Sequence, residues 1–285
     1  MMKYLVLGAT GMAGHVIALY LISKGHEVFT LSRNSIELGS NIIRDIKDTQ
    51  KVKNLILSHS FDCVINAVGI LNQSAEDFPA EAVFINSYIP HYLTDVTKNS
   101  KTKIIHMSTD CVFSGLKGDY TEYDAKDGLT MYDRSKALGE IENDKDLTIR
   151  TTIIGPDMKT DGIGLFNWFM KQDNPIIGFS EVYWSGVTTL ILAKAIEVYS
   201  NSSLSGIIHL TNNKKISKFE LLSMFNQIFR SSQLKINPHS EKKLDKSLRS
   251  TRHDTDFIVP GYKIMLEEMR NWIIEHKQYY PHYEM

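Results

Sequence analysis

The sequence has few cysteines and almost no net charge. Cys63 and Cys111 are the only two among 285 residues, and both lie in apolar, strand-like segments. A structural disulfide is therefore not expected, and a reducing compartment, the cytoplasm, is predicted. The formal charge is −1 at pH 7, so no overall positive field is present to attract nucleic acid.

Long apolar runs and targeting signals are also missing. No stretch of 18 apolar residues occurs, which argues against a membrane span. The N-terminus lacks a charged segment followed by an apolar one, so no signal peptide is expected. His and Cys show no metal-ligand spacing, and no metal site is predicted. An apolar content of 42% suffices for a sizeable core, in one large domain or two intimate ones.

The chain opens with a strand, a glycine turn and a helix. Tyr4–Leu7 is apolar and β-prone, and Gly8, Gly11 and Gly14 follow at a spacing of three. The next residues repeat apolar side chains at helical spacing as far as Gly25, a typical C-terminal cap. This order predicts a dinucleotide site, with the pyrophosphate on the helix N-terminus. A tight turn without a ligand is the alternative.

The second predicted strand, residues 26–31, indicates which cofactor binds. In NAD-binding folds an acidic residue at the end of this strand takes the ribose hydroxyls, whereas an Arg suits the 2′-phosphate of NADP. Here the strand ends in Ser32 and Arg33, without an acid. NADP(H) is therefore predicted over NAD(H).

Further strands and helices alternate along the first half of the chain. Strands are expected over 41–46, 61–69, 103–107 and 146–155, with helices between them. The fold class predicted is α/β, a Rossmann-type doubly wound parallel sheet. A soft boundary after Pro156 divides the chain into 1–155, the NADP-binding domain, and 156–285, a smaller α/β substrate-binding region. In the second part a helix around 187–199 is expected to pack back on the first sheet.

Hydroxyl groups and a lysine follow the fifth strand. Ser108 and Thr109 stand at its carboxyl end, which in parallel sheets faces the ligand crevice. Tyr132 and Lys136 are four residues apart and share one face of a predicted helix. The alternative for this pair is an ordinary solvated helix face.

Together these segments resemble a known family. Ser-Thr-Asp-x-Val-Phe at 108–113, Tyr-Thr-Glu at 120–122 and the Tyr132 to Glu140 segment are similar to those of dTDP-4-dehydrorhamnose reductases, in the extended short-chain dehydrogenase/reductase superfamily. The resemblance covers most of the first 155 residues and is thinner beyond. Cys111 departs from it, since Tyr is usual there, and the Pro expected before Thr188 is Val187.

The resemblance implies an NADPH-dependent reduction of a nucleotide-diphospho-4-keto-6-deoxysugar, making a deoxysugar donor for surface polysaccharide. Tyr132 would donate the proton to the developing alkoxide. Lys136 would lower the pKa of Tyr132 and bond the nicotinamide ribose, while Thr109, aided by Ser108, would donate to the same oxygen. Asn86 resembles a helix residue that supports the active site.

Two further sets of contacts follow from the glycine turn, Arg33 and the resemblance. For the cofactor the residues, besides Tyr132 and Lys136, are Gly8, Thr10, Gly11, Met12, Gly14, Ser32, Arg33, Asp45, Ile46, Asn66, Ala67 and Gly69. For the sugar nucleotide they are Ser108, Asp110, Trp168 and Arg252. Alternatives remain: Asp45 as a helix cap, the aromatic stretch at 166–169 as core, and the basic stretch at 242–252 as a solvated loop.

Two other functions also remain open. Epimerases of the superfamily share Tyr and Lys, and some relatives of these reductases are non-catalytic regulatory subunits that retain the cofactor site. A 4,6-dehydratase is disfavoured, because Cys111 stands where such enzymes carry an acid after Asp110. The sequence does not fix the oligomeric state, for which a homodimer is one alternative.

Overall fold

The structure is a computed structural model that describes residues 1–285. The strands are β1 (Lys3–Leu7), β2 (Glu27–Ser32), β3 (Ser40–Ile43), β4 (Cys63–Asn66), β5 (Lys103–Ser108), β6 (Leu147–Arg150), β7 (Ile153–Ile154), β8 (Ile176–Trp184), β9 (Val187–Thr188), β10 (Gly206–His209), β11 (Ile216–Ser217) and β12 (Ile236–Asp245). The α-helices are α1 (Met12–Ser23), α2 (Thr49–His59), α3 (Asn72–Asp77), α4 (Pro79–Ala82), α5 (Ile89–Thr97), α6 (Met131–Leu138), α7 (Leu165–Met170), α8 (Thr189–Ser200), α9 (Lys218–Arg230) and α10 (Tyr262–Glu275).

Seven parallel strands form the central sheet, in the order β10-β6-β5-β4-β1-β2-β3. The order reverses between β1 and β4, so a crevice opens at the carboxyl ends of these two strands. Gly8 follows β1 there, and Ala67 follows β4. The predicted doubly wound parallel sheet is confirmed. One of its two edge strands, β10, comes from the second part of the chain.

Apolar clusters cover both faces of this sheet. The smaller packs β1 and β4 against α2 and α5, through residues such as Val52 and Leu93. The larger contains Val16 of α1, Leu192 of α8, Phe225 of α9 and Met269 of α10. Because it continues across residue 156, one core serves both parts of the chain, and the boundary at 156 stays a prediction.

Helix α1 is buried on all sides from Gly14 to Leu21, although the sequence pattern predicted one apolar face. The reason is that α8 packs against α1 and also contacts β5 of the sheet, so α1 is covered both by the sheet and by α8. Helix α1 ends at Ser23 with Lys24 as its C-cap, and Gly25, predicted to stop the helix, follows with a φ of +78°. That left-handed conformation costs glycine little.

The long helix predicted over 80–99 is divided into three pieces. A π-helical segment, Val83–Tyr88, separates α4 from α5, and Pro90 lies in the first turn of α5, where its missing N–H is tolerated. The prediction of Val83 as core is wrong, since its side chain is 44% exposed. Ile85 and Leu93 are buried as predicted.

The second part of the chain adds a three-stranded sheet in the order β11-β8-β12. The predicted capping box is confirmed, with Ser217 and Glu220 bonded reciprocally at the start of α9. Lys242 and Lys243, for which a solvated loop was one alternative, lie instead on β12, which runs parallel to β8. No helix has both the length and the apolar character to cross a bilayer.

Candidate active site

Two adjoining cavities lie at the carboxyl ends of the central strands. The larger, about 590 Å³, extends from the glycine turn to the end of β5 and the loop at 157–164. The smaller, about 200 Å³, extends from the same turn to the ends of β2 and β3. They share Thr10, Gly11, Ala67, Val68 and Gly69, so they form one elongated site.

The glycine turn has the geometry that a dinucleotide requires. Gly8 has a φ of +83°, and a Cβ there would lie 2.9 Å from the carbonyl oxygen of Ala67. A Cβ on Gly14 would lie 2.2 Å from the carbonyl oxygen of Gly8. Glycine at this position therefore lets α1 pack closer to the end of β1 than a residue with a side chain would. No side chain caps α1, so the N–H groups of its first turn, which includes Met12, are available to an anion.

The smaller cavity is lined by cations at the ends of β2 and β3. Arg33, exposed, and Arg44, half-buried, both face it, and neither forms an ion pair. Ser32, Asp45 and Ile46, which are predicted to contact the cofactor, line it too. Arg44 was missed by sequence reasoning, although its place one residue after β3 is a signal of the same kind as that of Arg33.

Tyr132 and Thr109 meet in the larger cavity. Helix α6 begins with a capping box between Thr130 and Asp133, and this places Tyr132 in its first turn. Burial raises the pKa of the Tyr132 phenol well above its usual value, and the nearby acidic groups add to this, while the neighbouring Thr109 hydroxyl opposes it. The prediction that Lys136, together with the bound nicotinamide, lowers this pKa stays a prediction.

The amine of Lys136 is bonded to strand β5. Its Nζ donates to the carbonyl oxygen of Met107 at 2.6 Å and lies 3.3 Å from Nε2 of His106. Burial lowers the pKa of Lys136 to about 8, although the carboxylate of Glu140 acts in the opposite direction. Tyr132 and Lys136 are therefore not a solvated helix face.

Asn66 and Asn86 organise the turn after β4. Asn86 accepts a hydrogen bond from the N–H of Ile70 at 2.8 Å and donates to the Ser135 hydroxyl at 3.0 Å, which joins the π-helical segment to α6. Asn66 contacts His106 at 3.1 Å, behind the cavity. Ala67 and Gly69 line the cavity itself.

Ser108 is bonded to a buried ion pair that sequence reasoning missed. Its hydroxyl donates to Glu140 at 2.7 Å, and Arg150 donates to the same carboxylate at 2.6 and 2.7 Å. Burial raises the pKa of Glu140, but hydrogen bonds from Arg150 and the charge of that guanidinium hold it below its usual value. The signal that could have revealed the pair is a single Arg in an otherwise apolar strand.

Two predicted substrate residues lie away from both cavities. Trp168 is 40% exposed on α7, and its neighbours Phe166 and Phe169 are buried in the larger apolar cluster. Arg252 donates to the carbonyl oxygens of Ser205 and Ile207 at 3.0 Å and pairs with Asp254. Its guanidinium is therefore bonded to the backbone at the edge strand β10. Neither Trp168 nor Arg252 lines the two cavities, and their placement at the substrate stays a prediction.

Residues that follow Thr109 line the larger cavity, and a lysine that does not line it lies close to them. Asp110 and Cys111 line it directly after Thr109. Lys218, at the start of α9, was not predicted; its Nζ has no hydrogen-bond or ion-pair partner and lies 5.8 Å from the ring centroid of Trp184. Burial lowers the pKa of Lys218 to about 8, opposed by the negative charge of Asp110.

Comparisons with known proteins agree with this arrangement. The dTDP-4-dehydrorhamnose reductase of Burkholderia thailandensis is 34% identical over 53% of this chain and 50% of its own length. This chain spans about half the length of the curated relatives it matches.

Solved structures match over nearly the whole chain. A hypothetical dTDP-4-dehydrorhamnose reductase from Sulfolobus tokodaii is 28% identical, with a TM-score of 0.77 over 92% of this chain and 98% of that one. A dTDP-4-dehydrorhamnose reductase from Bacillus anthracis, solved with NADP, is 19% identical, with a TM-score of 0.79 over 97% of this chain and 100% of that one. The second shows the fold alone.

One family model covers more than half of the sequence. Residues 2–161 match the model described as the RmlD substrate binding domain, and this range contains the glycine turn, Thr109, Tyr132 and Lys136. The chain therefore belongs to the RmlD substrate binding domain family.

Proposed function

We propose that this protein is an NADPH-dependent reductase of a nucleotide-diphospho-4-keto-6-deoxysugar, acting in polysaccharide biosynthesis. The observation that carries the proposal is the meeting of Thr109, Tyr132 and Lys136 in one cavity that continues into the glycine turn. The names of the Burkholderia and Sulfolobus relatives support the substrate class.

The cofactor is proposed to be NADP(H). The glycine turn fits a dinucleotide, because side chains at Gly8 and Gly14 would close it. Arg33 and Arg44 supply two unpaired guanidinium groups, whose planar forks suit the 2′-phosphate. The Bacillus anthracis structure, with NADP bound, supports the same choice.

The chain's own residues supply the proton. When bound, the nicotinamide supplies the hydride for the carbonyl carbon. Tyr132 keeps its proton at neutral pH, because burial raises its pKa, and therefore serves as the acid that protonates the carbonyl oxygen. Thr109 lines the same cavity, and its hydroxyl, now bonded to Asp110 at 3.1 Å, would turn to donate to the same oxygen. Asp110 lines the sugar-nucleotide end, and Lys218 lies outside the lining, close enough to Asp110 for their charges to interact.

Reduction of a keto sugar is favoured over a regulatory role and over dehydration. A regulatory subunit does not need Thr109, Tyr132 and Lys136 together, and Cys111 replaces the acid that a dehydratase needs. The reaction is proposed for the cytoplasm. A homodimer stays a prediction, which light scattering tests.

The experiment is NADPH oxidation, followed by absorbance, with 4-keto-6-deoxy sugars carried on dTDP and on UDP. Simple ketones without a nucleotide are assayed beside them, and Tyr132→Phe serves as the matched control for the proton donor. We expect turnover of a nucleotide sugar and its loss by about 10²–10⁴-fold in the variant. Turnover of simple ketones alone would refute the substrate class, and undiminished turnover by the variant would refute the role of Tyr132.

A further inference from the structure

A fully buried histidine lies behind the active-site lysine and does not line either cavity. His106 is on β5, and both of its ring nitrogens have partners. Nδ1 lies 3.1 Å from the amide nitrogen of Asn66, and Nε2 lies 3.3 Å from Nζ of Lys136. The three side chains therefore form a chain of contacts from β4 through β5 to α6.

The position of the ring proton follows from the amide of Asn66. The backbone N–H of Val68 donates to Oδ1 of Asn66 at 3.3 Å, which turns the amide nitrogen towards His106. An amide nitrogen only donates, so Nδ1 of His106 must accept. The network thus assigns the ring proton to Nε2.

The protonation state of Lys136 follows in turn. Nε2–H of His106 points at Nζ, and an ammonium group has three donors and no acceptor. Two donors cannot bond to each other, whereas a neutral amine offers a lone pair. A neutral Nζ accepts from His106 and still donates to the carbonyl oxygen of Met107 at 2.6 Å.

We propose that the Nε2–H of His106 donates a hydrogen bond to the lone pair of Lys136 Nζ and so favours the neutral form of that amine until the nicotinamide cofactor binds. His106 is a positioning residue, because it acts through Lys136 and does not line the cavity.

The surroundings of the pair agree with this assignment. Burial lowers the pKa of Lys136 to about 8, and burial is also the main cause that holds the pKa of His106 well below its usual range, so the ring is neutral. Glu140, which favours the ammonium, is neutralised by its own pair with Arg150. His91 of α5 is the other titratable group that acts on His106, and a positive charge there would also oppose protonation of the ring.

A consequence for cofactor binding rests on the proposed function. The contact of Lys136 with the nicotinamide ribose would offer Nζ an acceptor, and the cofactor's phosphates would add negative charge. A solvent proton then bonds to the lone pair of Nζ, and the Nε2–H···Nζ bond breaks. NADPH binding above about pH 8 is thereby coupled to proton uptake, and the ammonium formed lowers the pKa of Tyr132.

The first test needs no cofactor. ¹⁵N NMR of the wild-type protein at pH 9 reports the tautomer of His106, whose signal is identified through its backbone assignment. We expect the Nε2–H tautomer. The Nδ1–H tautomer, or a charged ring, would overturn the proposal whether or not the protein is a reductase.

The second test is calorimetric titration with NADPH at pH 9, in buffers of different ionisation enthalpy. The 2′-phosphate is fully ionised there, because its pKa is about 6, so it takes up no proton. We expect wild type and the control His91→Gln to take up close to one proton per NADPH. His106→Gln should take up far less, since its amide oxygen accepts from an ammonium before NADPH binds.

Two outcomes of the titration would overturn the coupling: NADPH binding by wild type without proton uptake, or equal uptake by His106→Gln and wild type. Failure of NADPH to bind at all would instead refute the proposed function and the coupling, and the NMR result would then decide the assignment of His106.

Discussion

At the scale of residues, the site is governed by burial. Burial disfavours charge on Tyr132 and on Lys136 alike, so the pKa of the phenol rises and that of the amine falls to about 8. Near pH 8 the phenol is therefore neutral and the amine is about half protonated, and the electrostatic help expected from Lys136 depends on protonating its amine. Single contacts, such as Thr109 with Tyr132, modify this balance without reversing it.

The first prediction concerns Arg33 and Arg44, which line the smaller cavity without ion pairs. Arg33→Ala together with Arg44→Ala should raise the Kd for NADPH by about tenfold or more, since a hydrogen bond between charged groups contributes about 1.5–3 kcal/mol. The Kd for NADH should change little. Fluorescence titration with both cofactors measures this, and an unchanged preference would contradict the roles given to the two arginines.

The second prediction concerns Lys218, a cation without a partner close to Asp110. Lys218→Met keeps the length of the side chain and removes its charge. The KM for the sugar nucleotide should rise by about tenfold, because a charged hydrogen bond to the diphosphate is lost. The Kd for NADPH should stay as in wild type. Steady-state kinetics with each substrate varied in turn tests this, and an unaltered KM would remove Lys218 from the substrate site.

At the scale of elements, α6 is positioned by close packing against the π-helical segment. A Cβ on Gly139, the C-cap of α6, would lie 1.8 Å from the carbonyl oxygen of Asn86. Asn86 also bonds to Ser135 of α6. The position of Tyr132 and Lys136 in the cavity therefore depends on a contact made entirely outside it.

The third prediction follows from that contact. Gly139→Ala should push α6 away from the π-helical segment, destabilise the protein by about 1–3 kcal/mol, and lower kcat, since Tyr132 and Lys136 move with the helix. Gly261→Ala is the matched control, because a Cβ at Gly261 meets nothing within 4 Å. Urea unfolding and turnover are measured for both variants. Equal behaviour of the two would show that the contact is readily relaxed.

At the scale of the whole molecule, the C-terminal tail contacts both α1, near the N-terminus, and α7 in the second part of the chain. His15 in α1 contacts the hydroxyl of Tyr280 at 2.9 Å. Tyr283 donates to Asn167 of α7 at 3.0 Å and accepts from the N–H of Asp157, beside the larger cavity. The tail was expected either to dock or to fray, and it docks, with Tyr280 and Tyr283 fully buried.

The fourth prediction concerns pH and the stability of the whole fold. Burial lowers the pKa of His15 and of His209 to about 4, from 6.5. Between these values the unfolded chain binds protons that the folded chain does not, so the free energy of unfolding falls as the pH falls. Each group contributes a slope of at most about 1.4 kcal/mol per pH unit.

Urea unfolding between pH 4 and 7 measures this slope. The depressed pKa of Glu140 acts in the same direction at the acidic end. His15→Gln keeps a polar partner for Tyr280 but does not titrate. This variant should lose the contribution of His15 to the slope of the free energy of unfolding with pH, and keep that of His209. A wild-type stability that stays constant between pH 6.5 and 4 would contradict the neutral, buried state of these histidines.

The sequence by itself determined the parts of the protein that depend on local pattern. Apolar runs that end in glycine or hydroxyl residues identify buried parallel strands with a ligand at their carboxyl ends, and the strand–Gly8–α1 order identifies the dinucleotide turn. Tyr132 and Lys136 share a helix face because they are four residues apart. Each of these signals lies within about a dozen consecutive residues.

Only the tertiary structure decided what depends on packing between distant segments. It buried Arg150 against Glu140, turned Arg252 to the carbonyl groups before and within β10, and left Trp168 on the surface. The sequence alone does not show in which direction an Arg or a Trp side chain points. It placed His106 and Asn66 behind Lys136 and Lys218 near Asp110. Protonation states follow from burial and partners, and the fold supplies both from residues far apart in the chain.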